Sequence, residues 1–105
     1  MTDEANKKIL LLTIITGRSK KDAILTALLE SDIHLINTVY AKGSVNAGYL
    51  RSVFGLVPEA DKVVIICVST YAKIESVLEI IDEKFDFNKP NTGIAFSLPV
   101  EGVSY

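Results

Sequence analysis

Apolar positions along this chain recur with a period near two in some stretches and near 3.6 in others, and the switches between the two mark its elements. From Lys8 to Thr16 the run KILLLTIIT is β-branched and apolar almost throughout, which predicts a first strand covered on both faces or nearly so. Gly17 ends it. Ser19 and Asp22 then form a Ser-x-x-Asp helix start, in which the serine side chain accepts a first-turn N–H. The helix that follows carries Ile24, Leu25, Ala27 and Leu28 on one wide apolar face and runs to about Ser31. Asp32 turns the chain. In IHLINTVYA, residues Ile33, Leu35, Asn37 and Val39 alternate with His34, Ile36, Thr38 and Tyr40, predicting a second strand with both faces partly covered.

Lys42-Gly43-Ser44 interrupts that strand, and Ala47, Leu50, Val53 and Phe54 then recur at helical spacing up to Gly55, a short helix inside the connection. After the polar turn Pro58 to Asp61, KVVIICVS is a third, continuously apolar strand. Thr70 stands at the cap of the clearest amphipathic helix, with Tyr71, Ile74, Val77, Leu78, Ile81 and Phe85 on one face. Its other face, with Glu75, Glu79, Asp82, Glu83 and Lys84, reads as solvated. FNKPNTG is a loop by composition, GIAFSLPV is a fourth strand, and EGVSY is a short tail. Residues 1–7 read as a disordered tail and 8–105 as a single domain.

Two strand-helix-strand halves with right-handed crossovers give a ferredoxin-like βαββαβ fold of the α+β class. It has an antiparallel four-stranded sheet with both main helices on one face, and the extra short helix lies between its second and third strands. The first and third strands are apolar on both sides, so the face away from the helices needs a cover. This predicts a homo-oligomer that packs sheet faces together.

Composition narrows the function. Of 105 residues 49% are hydrophobic, and 11 Lys and Arg stand against 13 Asp and Glu, a net charge of −2. One domain of this size has apolar surplus to bury, and no basic run invites a nucleic-acid backbone or a membrane surface. A lone Cys67 and a lone His34 are too few for a zinc site of the usual kind, and Cys67 inside an apolar strand reads as a small inert hydrophobe. His34 reads as a strand surface residue. The acidic start MTDEANKK is unlike a secretory signal, and the longest apolar run is too short to span a membrane, so a cytoplasmic protein is expected. No Gly-x-Ser-x-Gly elbow and no cleft-bound carboxylate pair is visible, so an enzyme is not expected.

Several segments in order resemble the PII-like family of small signal-transduction proteins. They are Ala41-Lys42-Gly43-Ser44, GYLRSVFGL, Asp61-Lys62-Val63-Val64, and Thr92-Gly93-Ile94-Ala95-Phe96 leading to Leu98-Pro99-Val100. The resemblance spans roughly Lys8 to Val100 and is closer to a divergent subgroup than to the nitrogen regulators themselves. It implies a homotrimer that senses a small effector, an adenine nucleotide such as ATP, ADP or AMP, in clefts between subunits. It also implies that the protein regulates a partner protein, a transporter or an enzyme, and it implies no resident cofactor or metal.

The ligand-binding positions it implies are Lys42, Gly43, Asn91, Thr92 and Gly93, and Asn37, a polar residue in an otherwise apolar alternating set, is a sixth candidate as a cleft-facing position. Each has a plainer reading: a half-buried amide for Asn37, a strand-end turn for Lys42 and Gly43, an ordinary loop for the other three. The connection from Gly43 to Asp61 is shorter than the family's long loop and reads as docked on the body, and Tyr49 is no equivalent of the family's modified loop tyrosine. Ile94 stands at the place of a phosphate-binding lysine, and PVEGVSY carries none of the family's later basic residues. A ligand-free structural or interaction module of the same fold is therefore the second reading.

Overall fold

The computed structural model describes residues 8–41, 62–87 and 93–101. In order, the chain forms β1 (Ile9–Gly17), α1 (Lys21–Glu30), β2 (Leu35–Ala41), β3 (Lys62–Thr70), α2 (Tyr71–Phe85) and β4 (Gly93–Pro99). The strands make one antiparallel sheet in the order β2-β3-β1-β4, the ferredoxin-like arrangement read from the sequence. The predicted helix over 47–54, the tail 1–7 and the tail beyond Glu101 lie outside the described residues.

Side-chain alternation sorts the sheet into two faces. The registers Leu12 with Cys67, Ile14 with Ile65 and Thr16 with Val63 place one set beneath the helices, and all six are buried. Ile24 and Leu28 of α1 and Ile74, Val77 and Ile81 of α2 complete this core. The other face is built in rows across all four strands. Leu98, Leu11, Val68 and Leu35 form one row, Phe96, Thr13, Ile66 and Asn37 the next, and Ile94, Ile15, Val64 and Val39 the third. Ten of these twelve side chains are apolar, and Leu35, Val39 and Leu98 remain 72%, 48% and 53% exposed.

The helix ends depart from the predicted signals. A 3-10 turn at Arg18–Lys20 takes up Ser19, so α1 starts after Lys20 with no side-chain cap bond. Thr70 does hold the cap position of α2, but without a side-chain bond; the Tyr71 N–H instead donates to the Lys8 carbonyl at 2.7 Å, tying the helix start to the foot of β1. At its far end α1 closes in a Schellman motif, with Ile33 N–H donating to the Leu28 carbonyl and Asp32 N–H to the Leu29 carbonyl, both at 3.0 Å. Asp32 takes the left-handed position, φ 61°, and Ile33 packs into the core. Ile33 is thereby spent on the helix end, which is why β2 begins only at Leu35 and His34 stands just before the strand.

Candidate ligand-binding site

Of the six candidate positions, Asn37 and Gly93 fall among the described residues; Lys42, Gly43, Asn91 and Thr92 lie outside them. Asn37 is exposed, opposite Ile66 and flanked by Leu35 and Val39 on the open sheet face. Within the single chain it is not half-buried. Gly93 opens β4 opposite Thr16. A Cβ there would lie 2.6 and 2.7 Å from atoms of the Phe87 ring and 3.0 Å from the Ile15 carbonyl oxygen, so close packing of the strand entrance requires glycine. Asn37 and Gly93 stand on opposite edges of the sheet, three strand steps or about 14 Å apart across it. One chain alone does not bring them together.

Beside Gly93, α2 and the outer side of β4 enclose a groove of about 410 Å³ floored by Leu78, Ile81, Phe87 and Ala95. Its rim is Glu75, Glu79 and Asp82, a field that repels anions. Positive charge collects instead at the other edge of the same sheet end. The Arg18 guanidinium lies 4.5 Å from the centroid of the Tyr40 ring, and the Lys21 ammonium lies 5.4 Å from it and donates to the Tyr40 hydroxyl at 2.8 Å. The Tyr40 hydroxyl holds Lys21 above the ordinary lysine value of 10.5. Lys62, paired with Gly17 and Ala41, is buried at this same end. Four of the seven lysines and arginines among the described residues, Arg18, Lys20, Lys21 and Lys62, thus stand at one end of the sheet, with Lys20 turned to the Gly93 edge, its ammonium 5.8 Å from the Phe87 ring centroid. Their signal in the sequence is GRSKK directly after β1, which a charge balance summed over the whole chain conceals.

Two further groups serve structure. Asp32 accepts from Lys73 at 2.9 Å and bonds His34 Nε2 at 2.7 Å, joining the α1–β2 turn to α2, and Lys73 with His34 holds its carboxyl below the ordinary range. Cys67 is buried, and burial pushes its thiol up to about 11. Among the described residues no three Asp, Glu, His or Cys side chains converge as metal ligands, and no helix is long and apolar enough to cross a membrane.

The sequence profile of the nitrogen regulatory protein P-II matches residues 9–105, nearly the whole chain. The chain belongs to the P-II family. No functionally curated protein matches it. Solved P-II structures share its fold: CPII of Thiomonas intermedia K12 bound to ADP, AMP and acetate is 15% identical with a TM-score of 0.66, covering 91% of each chain. A PII-like signaling protein of Thermus thermophilus is 17% identical with a TM-score of 0.66, over 90% of this chain and 88% of its own. PII of Arabidopsis thaliana bound to citrate is 22% identical with a TM-score of 0.64, over 90% and 78%. Within this P-II fold, Ile94 pairs with Ile15 on the open face, so the place likened to the family's phosphate lysine is apolar in structure as well as in sequence.

Proposed function

We propose that this P-II family member is a homotrimeric regulator that binds an adenine nucleotide between subunits, and that occupancy of those clefts sets its affinity for a partner protein. The observation that carries this reading is the division of the sheet. Its open face presents three largely apolar rows, the kind of surface a second copy covers, and its two candidate ligand residues sit on opposite edges. A site containing both is completed by a second copy that brings its β4 edge to the β2 edge of the first. CPII, bound to ADP and AMP, has this fold and supports an adenine nucleotide as the ligand class. Regulation then follows if the nucleotide prefers one of two states of the connection between β2 and β3.

The apolar Ile94 favours one alternative, a trimer that has kept the fold and lost the ligand. Sedimentation velocity and calorimetric titration with ATP, ADP and AMP separate the two. A trimer that releases heat with at least one nucleotide supports the regulator; a trimer silent to all three supports the module; a stable monomer at low micromolar concentration removes both.

A further inference from the structure

The geometry points to Arg18 and Lys21, gathered on Tyr40, as the cradle for the phosphate chain of the nucleotide. This rests on the nucleotide reading above and adds to it the residues that carry charge recognition. Any polyphosphate needs fixed positive charge, and the groove beside Gly93 is rimmed by carboxylates, while Lys20, 5.8 Å from the Phe87 ring centroid on that side, already donates to the Phe85 carbonyl at 3.5 Å. The opposite edge of the sheet supplies it. Tyr40 is the last residue but one of β2 and is 46% exposed, and it keeps two cations within 6 Å of one ring centroid.

Both cations are oriented in advance. Arg18 is set by the 3-10 turn that follows β1 and by the ring face beneath it, and Lys21 by its bond to the phenol. Holding two like charges around one ring is unfavourable, and a bound anion relieves it. The acid beside Lys21 is Asp22, 3.5 Å away with a side chain 92% exposed, where solvent screens it. The side chain of Lys21 is itself 26% exposed and open to a ligand. Guanidinium forks a phosphate in two bonds and ammonium adds a point charge, the pairing that a di- or triphosphate uses best. In an assembly that brings β2 of one copy to β4 of the next, this cradle faces the partner's glycine-led strand entrance.

The test is calorimetric titration of the full chain with ATP, adenosine and inorganic triphosphate. Arg18→Ala and Lys21→Ala are each expected to weaken ATP about tenfold or more, and to leave adenosine unchanged. Arg18→Lys, which keeps the charge, recovers part of the loss. Lys73→Ala, an equal change in net charge on the far side of the molecule, leaves ATP binding as it was, and melting curves of all variants separate misfolding from lost recognition. If ATP binds Arg18→Ala and Lys21→Ala as tightly as it binds Lys73→Ala, the cradle is wrong while the nucleotide reading survives. If wild type ignores ATP and adenosine but binds inorganic triphosphate through Arg18, the nucleotide reading falls and the cradle stands as a polyphosphate site. Silence to all three ligands overturns both.

Discussion

The two faces of this sheet are made of nearly the same residues and have opposite fates. Beneath the helices, Leu12, Ile14, Val63 and Ile65 are fully buried within the one chain. On the other side Leu11, Ile66 and Phe96 are half-buried, and Leu35, Val39 and Leu98 are exposed, although the residue types are no less apolar. The difference shows that hydrophobicity in a strand reports the demand for cover and does not say which partner meets it. Two helices satisfy one face; on the other, Leu35, Val39 and Leu98 stay exposed. The two polar members of the open rows, Thr13 and Asn37, both lie in the central row, where they break an otherwise continuous apolar sheet.

The sharpest way to break the comparison is to remove equal volume from each face. Ile65→Ala, with its side chain wholly within the helix-covered core, is expected to cost about 2–5 kcal/mol in urea denaturation. Measured at a dilution where wild type is also a single chain, Leu35→Ala on the open face should cost less than about 0.5 kcal/mol. Equal losses at the two positions would show that the open face is covered within the monomer.

Gly93→Ala comes next, at about 1–3 kcal/mol, because its Cβ would overlap the Phe87 ring and press on the Ile15 carbonyl at the edge where both faces meet the strand entrance. Phe87→Ala in the same chain should recover part of that loss by removing the obstructing ring. A Gly93→Ala variant as stable as wild type would show that Phe87 turns aside at little cost. Smaller for the folding of one chain, yet decisive for assembly, is Leu35→Asp. Its unfolding free energy as a monomer should stay within about 0.5 kcal/mol of wild type, while its sedimentation coefficient drops to that of a single chain. Persistence of the oligomer would move the interface off this row.

Most of the architecture is legible in the chain because its strands and second helix are strongly periodic. Thr70 at the cap of α2 and the buried stripe Ile74, Val77 and Ile81 stand where the pattern puts them. Helix starts differ from their sequence signals for a physical reason: Ser19 is a good cap by type, but the 3-10 turn at Arg18–Lys20 displaces the start of α1, and backbone bonds such as Tyr71 N–H to Lys8 do the work expected of side chains. The candidate site is less legible. Asn37 stands out as a polar residue among apolar ones and Gly93 as a turn residue, and the ferredoxin-like order puts their strands on opposite sheet edges, but no sequence pattern shows which side chains gather there. The Arg18–Tyr40–Lys21 cluster joins residues on the first turn of one helix and the end of the next strand, a contact made by folding rather than by spacing.

An exposed tie holding the helix layer over its face is the bridge from Asp32 to Lys73, which fastens the end of α1 to α2. Because the folded carboxyl is held below its ordinary value of 3.8, first by the Lys73 hydrogen bond and then by that of His34, its contribution is fully present above that value. It is lost as pH falls through the lower folded value. Asp32→Asn keeps a residue that tolerates the left-handed backbone at φ 61° and leaves the Lys73 bond to the backbone carbonyl possible, so it removes the charge alone. The expected result is a variant melting slightly below wild type near pH 5, with the gap narrowing as pH falls below 3.8 and through the lower folded value, where wild type too becomes neutral at this side chain. A gap that stays open at the acid end would show that hydrogen bonding by this side chain rather than its charge holds the helix layer down, and the covered face would then owe nothing to electrostatics at this corner.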